Sequence, residues 1–252
     1  MRILLTNDDG ILAPGLAAMY RELIGLGTVS VVAPATVQSA AAHGITIPGP
    51  IAVRSLHVAD RFTGWAVEGR PADCVKIAVT TLLDHRPDLV VSGINDGANV
   101  SINVLYSGTV AAAAEGALLG VPSVAVSLER GPETDFDRAA QVARGVLDRL
   151  LALPRDEAPM LVNLNIPALR PGVPRGVRVV RQATQTMEDR YVRHAGPDGR
   201  LYLWLESEFA EATHQTETDL EALREGYVAL TPLRWNLTDD PHLARMRACA
   251  WG

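Results

Sequence analysis

Met1-Arg-Ile-Leu-Leu-Thr-Asn-Asp-Asp-Gly10 opens the chain. Its apolar run, Ile3 to Leu5, predicts a buried strand that stops at two carboxylates and a glycine. In open α/β sheets, ligands bind in the crevice beyond the carboxyl ends of the strands, which is where Asp8 and Asp9 fall. Two adjacent carboxylates repel, so one takes up a proton unless a cation is shared between them. Consecutive side chains on a continuing strand point to opposite faces. Asp8 and Asp9 therefore converge only if the backbone turns, and Gly10 permits that turn. A solvated turn or a helix cap is the plain alternative for Asp-Asp-Gly; its place at the end of the first strand favours a site.

Working outward, residues 1–130 alternate strand and helix patterns. Pro14 suits the first position of a helix, where a missing N–H costs nothing. Leu16, Met19, Tyr20 and Leu23 keep helical spacing, and Gly25 and Gly27 end it. Val29 to Ala33 is a second apolar strand, followed by a polar loop through Gln38 and Ser39. Irregular β structure is expected from His43 to Leu56, then a short strand from Trp65 to Val67. Pro71 opens a helix to about Leu83. Asp88 to Ser92 is another strand, running into Gly93-Ile-Asn-Asp-Gly-Ala-Asn99. An alanine-rich helix spans Gly108 to Leu119, stopped by Gly120 and Pro122, and Val121 to Ser127 is a strand. This alternation implies a mostly parallel, Rossmann-like three-layer α/β sheet covered on both faces.

A helix from about Asp135 to Leu153 carries an apolar stripe through Phe136, Ala140, Ala143, Leu147 and Leu150. Met160 to Ile166 reads as a strand. The chain is thus expected to be one domain, 1–252, with a core over 1–170 and an arm with a final helix and strand over about 171–252. Within the arm, Val177 to Val180 and Tyr191 to Glu206 are β-like, and Gly196-Pro-Asp-Gly199 is a hairpin turn. Tyr191, Tyr202 and Trp204 make the hairpin aromatic in a chain with 5% aromatic residues. Such a hairpin packs on another subunit or forms an internal edge. Thr218-Asp-Leu-Glu221 is a capping box, and Tyr227 to Leu230 a last strand.

Composition removes several classes. A 48% hydrophobic, 21% charged chain is that of an ordinary soluble domain. The net charge of −6 argues against a wide nucleic-acid surface. The two cysteines, Cys74 and Cys249, form no framework and lack ligand spacing. The first residues do not read as a signal peptide, and no apolar run approaches the ~18 residues of a membrane span. A cytoplasmic location is the expectation.

Three strand ends deliver oxygen ligands: Asp8 and Asp9, Ser39 through its loop, and Asn95. Carboxylate, amide and hydroxyl oxygens suit Mg²⁺, Mn²⁺ or Ca²⁺ rather than zinc. Ser39 by itself reads as a turn residue. Glycines around Asn95 let backbone approach a ligand closely, or else make a plain turn. Tyr106-Ser-Gly-Thr109 precedes a helix with little side-chain bulk, so free N–H groups and the helix dipole form an anion site, with Ser107 and Thr109 adding hydroxyls. Ordinary N-capping accounts for the same residues. A cation site beside an anion site suggests a phosphate ester held between them and hydrolysed with metal assistance. No two of the six histidines pair at ligand spacing; His43, near the Ser39 loop, reads as an exposed loop residue or a support for it. No general base is assigned.

Together these segments resemble the SurE family, the stationary-phase survival protein nucleotidases. The resemblance rests on Thr6-Asn-Asp-Asp-Gly10, the Pro34 to Ser39 loop, Pro71-Ala-Asp-Cys-Val75, and Ser92-Gly-Ile-Asn95 with Gly97 and Asn99. Tyr106-Ser-Gly-Thr109, Asn163-Leu-Asn-Ile-Pro167 and Gly226-Tyr-Val-Ala-Leu-Thr-Pro232 complete it. The resemblance implies a phosphomonoesterase acting on nucleoside 5′- or 3′-monophosphates, with one divalent ion, Mg²⁺ or Mn²⁺, per subunit. It implies Asp8, Asp9, Ser39 and Asn95 as metal ligands, with Asp8, Asp9 and Asn95 catalytic. Ser107, Gly108 and Thr109, with Asn99, would hold the phosphate. It further implies a homodimer or homotetramer built through the C-terminal hairpin. Two positions depart from the family pattern. Ala40 stands where a glycine usually follows the serine, and is strained if that position needs positive φ. Arg70 stands where threonine is usual.

Three other readings compete. A dinucleotide oxidoreductase needs a glycine fingerprint after the first strand, and Asp8-Asp9-Gly10 is the wrong chemistry for it. A sensor on the same scaffold would bind nucleotide and release no phosphate. An oligomeric structural protein leaves the strand-end cluster unexplained.

Overall fold

The computed structural model describes residues 1–58, 61–209, 216–249 and 251. Among these residues, the apolar runs assemble into a nine-stranded sheet. Its first half is β1 (Arg2–Thr6), α1 (Pro14–Leu23), β2 (Thr28–Pro34), β3 (Val53–Val58), β4 (Phe62–Val67) and α2 (Pro71–Ile77). α2 runs on as a π-helical turn, Ala78–Leu82. Then come β5 (Leu89–Asp96), α3 (Gly108–Leu118), β6 (Ser123–Leu128), α4 (Phe136–Leu151) and β7 (Leu161–Ile166). The C-terminal part holds β8 (Val177–Val179), β9 (Met187–Ala195), β10 (Leu201–Phe209), α5 (Asp219–Arg224), β11 (Val228–Pro232) and α6 (Asp240–Arg247).

The strand order is β3-β4-β2-β1-β5-β6-β7-β11-β8. From β4 through β7 every neighbouring pair is parallel, whereas β3 and β11 run antiparallel to β4 and β7. The sheet is mostly parallel, as expected, with antiparallel pairs confined to its two flanks. A short β3–β4 connection can only join antiparallel strands. The chain winds one way from β1 to β2 and β4, and the other way from β5 to β7. β1 and β5 thus flank the switch point, where their carboxyl ends diverge into a crevice.

Helices cover both faces. α1 and α4 bury Leu16, Met19, Ala143 and Leu147 against Ile3, Leu5, Val91 and Val126. Opposite them, Cys74, Val75 and Ala112 pack on Leu4, Val32 and Val90. Alternation along β1 sends Leu4 one way and Ile3 and Leu5 the other, which is why a continuous apolar run was the strand's signature. Alanines at 111–114 keep α3 slim, so that Ala113 and Ala114 contact Ala125 and Leu161 directly.

The predicted hairpin is present: β9 and β10 pair antiparallel from Ala195 with Leu201 to Met187 with Phe209. It forms a separate two-stranded sheet that leaves Tyr191, Leu203 and Trp204 more than half exposed. The final helix, α6, buries none of its residues.

Candidate functional site

The turn at Gly10 forms as expected. Gly10 takes φ +93°, and Asn7 Nδ2 donates to Gly10 O (2.9 Å). The turn points Asp8 and Asp9 to different neighbours on one rim. Thr109 at the start of α3 donates twice to Asp8, through Oγ1 to Oδ1 (2.5 Å) and through its N–H to Oδ2 (3.0 Å). Asp9 Oδ2 accepts the Asp96 N–H at the end of β5 (3.1 Å). The Gln38 N–H donates to Asp8 O (2.8 Å), which brings Ser39, one residue on, to the same rim. Asn95 arrives there because the register between β5 and β6 slips between Ser92 and Asn95, a bulge that re-aims the strand end. Its Nδ2 donates to Gly97 O (2.7 Å), leaving Oδ1 as a free acceptor.

The anion cradle differs from the expectation in two residues. Thr109 is engaged by Asp8, which leaves Ser107 and Gly108 as the open donors at this helix start. The Ser107 hydroxyl caps α3 by accepting the Val110 N–H (3.1 Å) and keeps its proton to donate. The Gly108 N–H has no intrahelical acceptor at this first position. Gly108 is also the only residue type that fits: a Cβ there would lie 2.9 Å from Asp8 Cβ and 3.0 Å from Pro71 Cγ. Asn99, expected on the phosphate, is engaged with the core. Its N–H donates to Asn165 Oδ1 (2.8 Å), and its Nδ2 donates to Ser127 Oγ (2.8 Å). Asn163 and Asn165 both donate to its carbonyl. Asn99 braces the floor beneath the rim.

Electrostatics favour a cation here. Burial, opposed by the Thr109 hydrogen bond and reinforced by the Asp9 charge, pushes the Asp8 carboxyl up to about 6. Burial also raises Asp9, with the Asp96 N–H opposing it. Asn7 Oδ1, on the adjoining residue, is buried without a hydrogen-bond partner among the described residues. Among the described residues, no three His, Cys, Asp or Glu side chains converge to hold an ion by themselves. An ion at this rim would draw on two carboxylates plus neutral oxygens of Ser39 and Asn95. That is a hard-cation donor set, and the residues fit it.

As supports of the Ser39 loop, Glu115, Lys76 and Asp73 escaped the sequence reading. Glu115 sits buried in α3, with His43 Nε2 at 3.0 Å and Lys76 Nζ at 2.8 Å from its carboxylate. The His43 hydrogen bond, with help from Lys76, holds the Glu115 carboxyl below its ordinary value despite burial. His43 thus tethers the Ser39 loop to α3. Buried Asp73 anchors the loop's far end, accepting from the Thr46 N–H, the Thr46 hydroxyl (2.7 Å) and the Arg70 N–H (2.9 Å). A buried acid within an otherwise apolar helix was the one available signal for Glu115.

Within this loop Ala40 and Ala42 take φ +55° and +50°, the left-handed region where a Cβ costs roughly 1–2 kcal/mol. The strain foreseen at Ala40 is present. Ala40→Gly removes it and adds back less than about 1 kcal/mol of unfolded-chain entropy. We expect a rise in Tm of about 2 °C, read by calorimetry; a fall would show that the loop gains nothing from glycine.

Fold and site together define a doubly wound α/β protein carrying a carboxylate-and-amide rim beside a helix N-terminus at its switch point. The chain belongs to the SurE family: the family model described as Survival protein SurE matches residues 3–189. It is 48% identical over 248 residues to the 5′-nucleotidase SurE of Rhodopirellula baltica, covering 98% of each chain. It is 44% identical over 238 residues to that of Syntrophobacter fumaroxidans, covering 94% of this chain and 95% of the relative. The crystal structure of the SurE protein from Aquifex aeolicus superposes with a TM-score of 0.83 at 34% identity, covering 98% of both chains.

Proposed function

We propose that this protein is a divalent-metal-dependent nucleotidase, hydrolysing nucleoside monophosphates to nucleoside and inorganic phosphate. The reading is carried by the convergence of Asp8, Asp9, the Ser39 loop and Asn95 beside the open end of α3, in a chain whose named relatives are 5′-nucleotidases. Asp8, Asp9, Ser39 and Asn95 would hold one Mg²⁺ or Mn²⁺, which when bound polarises a phosphoryl oxygen and acidifies a coordinated water. Ser107 and the Gly108 N–H would orient the phosphate through its other oxygens. Water oxygen bonds to phosphorus as the bond to the ribose oxygen breaks, and that oxygen leaves protonated. The 5′ ester follows the relatives' name; the 3′ ester is the wider activity the resemblance implies.

The hairpin completes the reading. A lone two-stranded ribbon is marginal in water, and its exposed Tyr191, Leu203 and Trp204 suit a second copy of the chain in a cytoplasmic dimer or tetramer. No described helix is long and apolar enough to cross a membrane.

The test is phosphate release from a panel of nucleoside 5′- and 3′-monophosphates with Mg²⁺ or Mn²⁺, and again with chelator. Release that chelator abolishes is expected. Equal release with chelator rejects the metal, and binding without release under any metal makes the protein a sensor.

A further inference from the structure

Beside Ser39 the rim opens into a second cleft of about 500 Å³, with Thr36, Gln38, Thr46, Arg54, Glu68 and Arg70 on its walls. Thr36 and Gln38 lie just past β2, Arg54 lies on β3, and Glu68 and Arg70 follow β4. The cleft shares a wall with the catalytic rim, because the Gln38 N–H is the one bonded to Asp8 O (2.8 Å). Arg70 is seated against the Ser39 loop: its guanidinium lies where a Cβ on Gly44 would fall, 1.9 Å from Nη1.

The charges in this cleft are open. The one buried acid nearby, Asp73, is saturated by Thr46 and the Arg70 backbone N–H. Among the described residues neither Arg54 nor Arg70 forms an ion pair, and neither does Glu68. Two guanidinium groups thus face one carboxylate in a protein whose net charge is −6. No aromatic ring lines the cleft, so no wall is built to stack a nucleobase. Planar guanidinium forks flanked by hydroxyl and amide donors are the groups that recognise phosphate.

We infer that this cleft is a subsite for a second phosphate, so that the preferred substrate class is a nucleotide with two phosphates on its ribose. One phosphate is hydrolysed at the Asp8–Asp9 rim while Arg54 and Arg70 hold the other. The inference rests on the hydrolytic reading above and adds the substrate class.

The experiment compares kcat/KM for adenosine 3′,5′-bisphosphate and for 5′-AMP in the wild type, Arg54→Gln, Arg70→Gln, Arg70→Lys and the double glutamine variant. The wild type is expected to favour the bisphosphate, with a preference that shrinks as salt rises. Each glutamine should lower the bisphosphate-to-monophosphate ratio about tenfold, the loss of one charge-assisted contact. Lysine should restore part of it, keeping the charge without the fork. A ratio unchanged across the series overturns the subsite. Calorimetric binding of the bisphosphate to Asp8→Asn, with and without the arginine substitutions, separates the two readings. If the wild type hydrolyses neither ester, arginine-dependent binding upholds the subsite while the hydrolytic reading fails. Equal affinity with and without the arginines sinks the subsite.

Discussion

Asp8→Asn is expected to lower kcat for nucleoside monophosphate hydrolysis by about a thousandfold while leaving the fold intact. Asp8 is buried, and both its oxygens are taken up on one side by Thr109. Asparagine preserves that shape: its carbonyl still accepts the Thr109 N–H, and its amide can donate to the Thr109 hydroxyl. What disappears is one of two negative charges that would anchor the ion, together with its alignment to the Ser107 and Gly108 cradle. Ser39→Ala should cost far less, since the oxygen it removes is neutral and exposed. The measurement is steady-state phosphate release across a titration of Mn²⁺, with circular dichroism to show an unchanged fold. A rate within threefold of wild type would take Asp8 out of the chemistry.

The centre of this protein was legible because its physics is local. Ile3 to Leu5 read as a buried strand, and Pro14, Gly25 and Pro122 read as helix start and stop signals. The convergence of Asp8, Asp9 and Asn95 followed from where strand ends lie in such sheets. β1 and β5 do flank the switch point, and the Asp96 N–H reaches Asp9 there. What the chain hid is decided by tertiary partners. Thr109 looked like an anion donor but turns to Asp8, a choice set by how closely glycine at 108 lets α3 approach β1. Asn99 sat in the right segment, yet its partners, Ser127 and Asn165, come from β6 and β7. His43 and Glu115 are 72 residues apart in sequence, and no spacing rule connects them. The antiparallel flanks escaped because the periodicity of a strand does not report its direction.

Metal-free protein should lose stability as pH rises through the range from 3.8 to about 6, because of Asp8. The sign follows from its raised value. The folded state binds the Asp8 proton more tightly than the unfolded chain does, so the neutral acid favours folding. That contribution is complete below the unfolded value of 3.8 and is lost as pH rises through about 6. A shift from 3.8 to about 6 corresponds to about 3 kcal/mol. Other carboxylates titrate over the same range, so the quantity to measure is the difference in Tm between wild type and Asp8→Asn. The amide never ionises, so metal-free Asp8→Asn should melt above metal-free wild type at pH 7.5, by about 2–4 °C per kcal/mol. The gap should close below pH 4. Saturating Mn²⁺ should reverse the order at pH 7.5. An ion that binds only the folded state stabilises by mass action, and it turns the repulsion between Asp8 and Asp9 into attraction. Asp8→Asn should gain little from the ion. Wild type and Asp8→Asn melting together at every pH, with Mn²⁺ and without, would mean that Asp8 bears neither an unpaired charge nor a ligand's role.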